Sequence, residues 1–122
     1  MTLFLDHQQR LNLIALYGAQ RGTVSEMRQF WTVQDRLTLS AAEEEAIGYQ
    51  VIAENGMEIP RWDAGRKLAP RSFEFSEAEA QRLKKLIDEW PHFQTGGDRR
   101  WLANLLEQLE TQPTPNGQPA LR

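Results

Sequence analysis

The chain has 122 residues, a net charge of −3, 40% apolar residues and 25% charged residues, which fits one ordinary folded domain. The absence of cysteine excludes disulfide frameworks, thiolate metal sites and cysteine nucleophiles, and the acidic balance argues against non-specific nucleic-acid binding by the whole surface. The first six residues contain only three successive apolar residues and no basic segment. They predict neither a signal peptide nor a membrane span, and the composition predicts a cytoplasmic protein.

Three helices are predicted in the first part of the chain. The first begins at the N-cap Asp6 and runs to about Tyr17. Its apolar face carries Leu11, Ile14 and Ala15 and is widened by Leu13, Leu16 and Tyr17. The second follows Thr23, with Glu26 completing a capping box, and carries an apolar series that ends near residue 37. Its predicted core residues are Val24, Met27, Phe30, Trp31 and Leu37. The third helix is short, with the N-cap Ser40, residues 41–47 and a stop at Gly48.

A β-hairpin is predicted after the third helix. Asn55-Gly56 lies between two β-rich segments, and this dipeptide suits a turn whose two central residues need positive φ. We therefore predict strands at about 49–54 and 57–62, with Pro60 restricting the second to a sheet edge. A third short strand around Ser72 to Phe75 could join the same sheet. The alternative is an all-helical bundle in which residues 49–62 form an irregular loop.

Two further helices follow the predicted sheet. The segment 37–43 recurs as residues 73–79, and in both copies a Ser precedes a Glu by three residues, which predicts a second Ser-capped helix at Ser76. This helix covers about 77–89, and its stripe comprises Ala80, Leu83, Leu86, Ile87 and Trp90. The last helix follows the cap Asp98 and ends near Glu110; its predicted buried residues are Trp101, Leu102, Leu105, Leu106 and Leu109. Residues 111–122 contain three prolines and predict a mobile C-terminal tail.

The predicted fold is therefore α+β and mainly α, with about five helices and a small antiparallel sheet in the middle of a single globular domain over residues 1–110. Three helices followed by a hairpin is also the element order of a winged helix, whose third helix normally reads DNA. Here that helix carries Glu43, Glu44 and Glu45, which phosphates would repel. We interpret these three carboxylates as a solvated helix start that complements the helix dipole, with an acidic surface for a partner as the alternative.

Residues able to support catalysis or metal binding do not form a recognisable pattern. The only histidines, His7 and His92, lie on different elements and have no carboxylate at ligand spacing. No phosphate-binding glycine motif and no nucleophile-elbow context for a serine is present. We therefore predict no catalytic residues, no metal site and no cofactor, and the sequence does not by itself assign a function.

One segment departs from the acidic average. Between Ile59 and Arg71, four basic side chains stand against Asp63 alone, and an aromatic residue lies among them. Basic residues interleaved with an aromatic could contact phosphates or an unstacked base. The candidate contacts for a nucleic acid or another anion are Arg61, Trp62, Arg66, Lys67 and Arg71. The alternative is a solvated loop with Trp62 turned into the core.

Adjacent large apolar residues suggest a second kind of site. Phe30 and Trp31 are neighbours on the second helix, and Leu105 and Leu106 are neighbours on the fifth. Adjacent helical residues point about 100° apart, so both members of a pair cannot face one narrow core seam. These four residues are the candidate interface, either with a protein partner or in self-association. Burial between two layers of one fold is the alternative.

A resemblance adds a biological setting. The residues that carry it are Arg10 to Ile14 with Gly22, the run from Asp35 through Glu44, Trp62, and the Phe73-to-Ser76 entry to the long fourth helix. Together they resemble small uncharacterised proteins of bacteriophage and prophage genomes, over roughly Leu11 to Leu109; residues 90–100 depart from that pattern. The resemblance implies a phage-related setting, including virion association as an alternative to the cytoplasm, and no catalytic residue.

The leading hypothesis from the sequence is a non-enzymatic module for protein–protein interaction or assembly. The alternative is a winged-helix-like nucleic-acid-binding regulator that uses the basic 61–71 segment. No interaction with a membrane is expected.

Overall fold

The computed structural model describes residues 1–111. Its elements follow the chain in the order β1 (Thr2–Leu5), α1 (His7–Gly18), α2 (Val24–Leu37), α3 (Ala41–Ile47), β2 (Gln50–Glu54), β3 (Met57–Arg61), β4 (Arg71–Glu74), α4 (Glu77–Glu89) and α5 (Arg99–Thr111). The α+β, mainly α fold is confirmed, with the predicted five helices. The predicted C-terminal tail lies outside the described residues, apart from Thr111, which ends α5.

The strands form two separate antiparallel pairs within the described chain. The predicted hairpin is confirmed as β2 paired with β3, with Ile52 opposite Ile59. The prediction that a strand near residues 72–75 could join this sheet is wrong, because β4 pairs with β1, where Leu3 lies opposite Phe73. The first strand was not predicted at all, since a four-residue strand with a partner about seventy residues away leaves no local signal.

Side-chain caps explain why four helices begin where they do. The N-caps of α1, α2, α3 and α4 are Asp6, Thr23, Ser40 and Ser76. Each accepts a hydrogen bond from the third helical residue, whose Gln or Glu side chain accepts one in return from the cap amide. The α3 helix stops at Gly48, whose φ of 67° is left-handed and suits glycine. The predicted helix starts are confirmed at these four positions.

The chain divides into two compact units. Unit 1 comprises Met1–Leu5 together with the chain from Arg71 onward, and unit 2 comprises Asp6–Pro70. The single domain predicted over residues 1–110 stays a prediction.

The core of unit 2 forms where α1 contacts α2. Its buried apolar side chains are Leu13, Leu16, Tyr17, Phe30, Val33, Leu37, Leu39 and Ile47. The predicted apolar face of α1 is right only in part: Leu13, Leu16 and Tyr17 are buried. Ala15 is exposed, and Leu11 and Ile14 are only half-buried. The buried face begins instead with the polar residues His7, Gln9 and Arg10. An apolar pattern could not show this, because hydrogen bonds rather than hydrophobicity make their burial favourable.

Helix α2 also differs from its prediction in part. Phe30, Val33 and Leu37 follow the i, i+3, i+7 spacing and are buried. Val24 and Trp31 were predicted as core residues but are 64% and 53% exposed. The helix therefore has a narrower inner face than its composition suggested.

The core of unit 1 brings α5 against β1 and α4. Its buried apolar side chains are Leu3, Leu5, Phe73, Phe75, Ala80, Leu83, Ile87, Trp101, Leu105 and Leu109. Four residues predicted in the two helical stripes are only half-buried: Leu86, Trp90, Leu102 and Leu106. Each of these residues lies next to a buried residue in the sequence or at a helix end. The buried stripes of α4 and α5 are therefore narrower than predicted. Among the described residues, no helix is long and apolar enough to cross a membrane.

Candidate interaction surfaces

A buried arginine organises unit 2. The Arg10 side chain is 2% exposed and forms an ion pair with Glu43, in which Nη1 lies 2.6 Å from Oε2. Nη2 donates to Glu43 Oε1 at 3.1 Å and to the Thr38 carbonyl at 3.0 Å. Nε donates to the Leu37 carbonyl at 3.0 Å. One guanidinium thus ties the end of α2 to the start of α3.

This contact corrects the interpretation of the three glutamates as a solvated helix start. The Glu43 side chain is 15% exposed, and its Oε1 also accepts the Ser40 amide at 3.0 Å. Of the three, only Glu45 is exposed, and Glu44 is half-buried. Sequence reasoning missed Arg10 because the partner lies 33 residues away. The first carboxylate of α3 is therefore structural.

Two arginines of the basic segment 61–71 form ion pairs with nearby carboxylates. Arg61 forms an exposed ion pair with Glu54 at 3.3 Å, and Arg66 forms one with Asp63 at 3.3 Å. Lys67 is exposed. Exposed pairs of this kind are worth about 0–1 kcal/mol, so they leave both arginines able to exchange partners. These three candidate contacts belong to unit 2, where their local charge is partly neutralised.

Trp62 takes the more inward of its two predicted positions. It is half-buried, and its ring meets that of His7 edge to face with centroids 6.5 Å apart. His7 is itself buried, and its Nδ1 accepts the Leu68 amide at 3.4 Å. These contacts hold the 62–68 segment against the start of α1. Trp62 has a packing role in unit 2, which reduces the surface it can offer to a base.

Arg71 belongs to unit 1 rather than unit 2. It begins β4, and its guanidinium carbon lies 5.1 Å from the centre of the Phe73 ring. That distance is within the range of a cation–π contact. Of the five predicted anion contacts, the structure places four in unit 2 and the fifth in the other unit.

The predicted interface pairs separate into a buried and an exposed member. Phe30 is buried and packs against Tyr17, with ring centroids 5.6 Å apart, whereas its neighbour Trp31 is 53% exposed. Val24, seven residues before Trp31, lies on the same face of α2 and is 64% exposed. The outer face of α2 therefore presents an aromatic and an aliphatic side chain to solvent.

The same division holds on α5. Leu105 is fully buried, and Leu106 is half-buried. Leu106 lines a shallow cleft of about 400 Å³ with Phe93, Leu102 and Ala103. The cleft also has polar walls, which include Gln94, Asp98 and Arg99. Leu106 is thus the member of its pair that can meet another molecule.

Sequence reasoning missed the third apolar surface, which is the hairpin itself. All five residues of β2 are exposed, and so are four of the five in β3. Val51, Ile52 and Met57 are 54%, 36% and 67% exposed. An isolated two-stranded hairpin is only marginally stable in water, so exposed apolar residues on both strands call for an explanation.

Residues 1–111 contain no group of three or more His, Asp or Glu side chains arranged to hold a metal ion. Comparison with protein-family models, with curated proteins and with solved structures found no match to the chain.

Proposed function

We propose that the protein is a non-enzymatic interaction or assembly module of bacteriophage or prophage origin, acting in the cytoplasm or on the virion. The origin and the setting rest on the sequence resemblance alone. The interaction role rests on the exposed face of α2. A half-exposed tryptophan on the same helix face as an exposed valine costs free energy in an isolated protein, and burying it becomes favourable when a partner covers the face.

Trp31 carries the proposal. Tryptophan is among the residues most often responsible for binding energy at protein interfaces, because one side chain buries a large apolar area. Trp31 lies on a helix whose opposite face is fixed by Phe30, Val33 and Leu37. Its position is therefore set by a packed scaffold, which reduces the entropy lost on binding.

The test compares three forms of the full chain as bait in an extract of the cells that produce it. The forms are the native chain, Trp31→Ser, and the control Gln29→Ser, which changes an exposed residue of the same helix. We expect a partner retained by the native and control forms and reduced tenfold or more by Trp31→Ser, since a central anchor contributes about 2 kcal/mol or more. Identical captured sets for all three forms would argue against this surface. Unchanged melting of Trp31→Ser shows that the fold is intact.

The nucleic-acid alternative has a separate test. Phosphate contacts make affinity fall with salt by a log-log slope of about −0.9 per neutralised phosphate on a duplex, and four basic residues bound the slope at roughly −3 to −4. Binding of a short duplex and of a single strand is measured at two salt concentrations. No binding at low salt, or binding unchanged when the basic side chains become Gln, eliminates this alternative. The residues replaced are Arg61, Arg66, Lys67 and Arg71.

A further inference from the structure

We infer that the free edge of β2 pairs with β2 of a second copy of this chain, antiparallel and about a two-fold axis at Ile52, giving a four-stranded sheet in the order β3–β2–β2–β3. The inference deepens the proposed function, since it names a second copy as one protein partner. It uses the hairpin surface and is independent of Trp31.

The turn determines which backbone groups of β2 are free. Asn55 and Gly56 have φ of 52° and 78°, as a type I′ two-residue turn requires. Such a turn closes on a hydrogen-bonded pair, here Glu54 with Met57, and such pairs alternate along the ladder. Ile52 and Gln50 therefore bond to β3. The amides and carbonyls of Val51 and Ala53 point to the opposite edge.

The two edges of the hairpin are not equally protected. The outward positions of β3 are Glu58 and Pro60; the proline has no amide to offer a further strand, and the glutamate adds a charge. The β2 strand, Gln50–Glu54, contains no proline, glycine or lysine, and all its residues are exposed. No third strand from residues 1–111 covers either edge. The chain thus blocks one edge by its sequence and leaves the other able to pair.

The β2 sequence is complementary to itself in this register. Val51 lies opposite Ala53 of the second copy, and the outward amides and carbonyls of this pair exchange two hydrogen bonds. The two-fold axis repeats the same pair on its other side. Ile52 lies opposite Ile52 in a closely spaced pair without hydrogen bonds. Since Ile59 lies beside Ile52 on the same face of the hairpin, the central row contains four isoleucines across the four strands.

The charges also fit this register. Glu54 lies opposite Gln50 of the second copy rather than opposite another carboxylate. Beside that Gln50 lies its hairpin partner Arg61. Each Glu54, which already pairs with its own Arg61 at 3.3 Å, thereby gains a second cation on the same face. In this register no two like charges lie directly opposite each other. A parallel pairing, or one shifted so that the two Glu54 side chains meet, would place like charges opposite each other and is therefore disfavoured.

The size of this contact sets its strength. A single pair of five-residue strands buries less than the roughly 800 Å² per partner of a standard interface. We therefore expect a dimer in rapid exchange, with association visible at micromolar to millimolar concentration.

The first test is sedimentation equilibrium of the full chain between about 10 μM and 1 mM, a range that covers weak interfaces. The weight-average mass of the native chain should rise from 14.1 kDa toward twice that value. Ala53→Pro removes an outward amide without touching the bonds to β3 and should give a monomer throughout. The matched control Glu58→Pro makes the same change at the opposite edge and should still dimerise.

The second test does not depend on a proline being tolerated. Because the chain contains no cysteine, single-cysteine variants are unambiguous. Ile52→Cys places two thiols in a closely spaced pair about 4.5 Å apart between Cα atoms, within the range of a disulfide. Mild oxidation should convert it to a linked dimer. The control Met57→Cys lies on the same face, but the two copies are separated by three strand spacings, about 14 Å, across the sheet and by four residues, about a further 14 Å, along it. This variant should stay unlinked.

Three outcomes would overturn the inference: a mass that stays at 14.1 kDa at the highest concentration, a dimer that survives Ala53→Pro, or equal cross-linking of the two cysteine variants. None of them bears on partner capture through Trp31. Identical captured sets for the native and Trp31→Ser forms of a chain that dimerises would contradict the Trp31 proposal alone, and a Trp31-dependent partner of a chain that stays monomeric would contradict the β2 inference alone.

Discussion

Replacement of Glu43 by Gln tests the role of the buried Arg10. Glutamine still completes the capping box with Ser40, since Glu and Gln both serve at that position, so the substitution removes the charge and keeps the cap. Arg10 then remains 2% exposed without its anionic partner. Removing one member of a buried ion pair costs about 3–5 kcal/mol. We expect about 3 kcal/mol, the lower end, because the Leu37 and Thr38 carbonyls stay bonded and Gln accepts one hydrogen bond.

The assay is urea unfolding followed by the indole signals of Trp31 and Trp62, which lie in unit 2. The matched control is Glu26→Gln, which makes the same substitution at the same capping-box position of α2, where the side chain is exposed. Its cost should stay within about 0.5 kcal/mol. Coincident unfolding curves for the two variants would refute the reasoning, since they would mean that the Glu43 charge contributes nothing beyond its cap.

Four further substitutions probe unit 1 by thermal or urea unfolding. Ser76→Ala should cost about 1 kcal/mol by removing the N-cap of α4, and a cost near zero would mean that water replaces the cap. Leu83→Ala should cost about 2–5 kcal/mol because the side chain is fully buried, and Leu86→Ala should cost clearly less because its side chain is half-buried; the reverse order would contradict the helix orientation. Gln108→Ala should cost about 1–2 kcal/mol and speed exchange of the Phe4 amide, which donates to Gln108 Oε1 at 2.7 Å; unchanged exchange would exclude that bond.

Local signals explain which parts of the fold could be predicted. A cap and its partner lie three residues apart, and the Asn-Gly turn lies between adjacent strands, so one short window of sequence contains each complete interaction. These features were predicted correctly. The pairing of β1 with β4 joins Leu3 to Phe73, and the Arg10 ion pair joins residues 33 positions apart. Neither contact leaves a periodic pattern in the sequence, so only the folded structure reveals them.

The candidate surfaces depended on a distinction that composition could not make. Adjacent apolar residues on α2 and α5 correctly indicated that one member of each pair leaves the core, but they could not say which. The structure places Phe30 and Leu105 inside and leaves Trp31 and Leu106 at least partly accessible. The hairpin itself was predicted, but its exposed apolar surface was not. Apolar residues such as Val51, Ile52 and Met57 would equally suit a half-buried sheet, and only the absence of a covering layer among the described residues reveals that both faces meet solvent.

The treatment of strand edges connects the fold to the proposed function. In unit 1, the outer edge of β1 is covered by a side chain: Gln108 Nε2 donates to the Phe4 carbonyl at 2.8 Å, and its Oε1 accepts the Phe4 amide. In unit 2, Pro60 removes the amide from the outer edge of β3. Both devices suppress pairing with another chain, which is what exposed edges otherwise invite. The edge of β2 has neither device, although its three central residues are apolar and all five of its residues are exposed. Two of the four strand edges in the described chain are closed by different chemistry, and this contrast supports the proposed pairing at the open edge of β2.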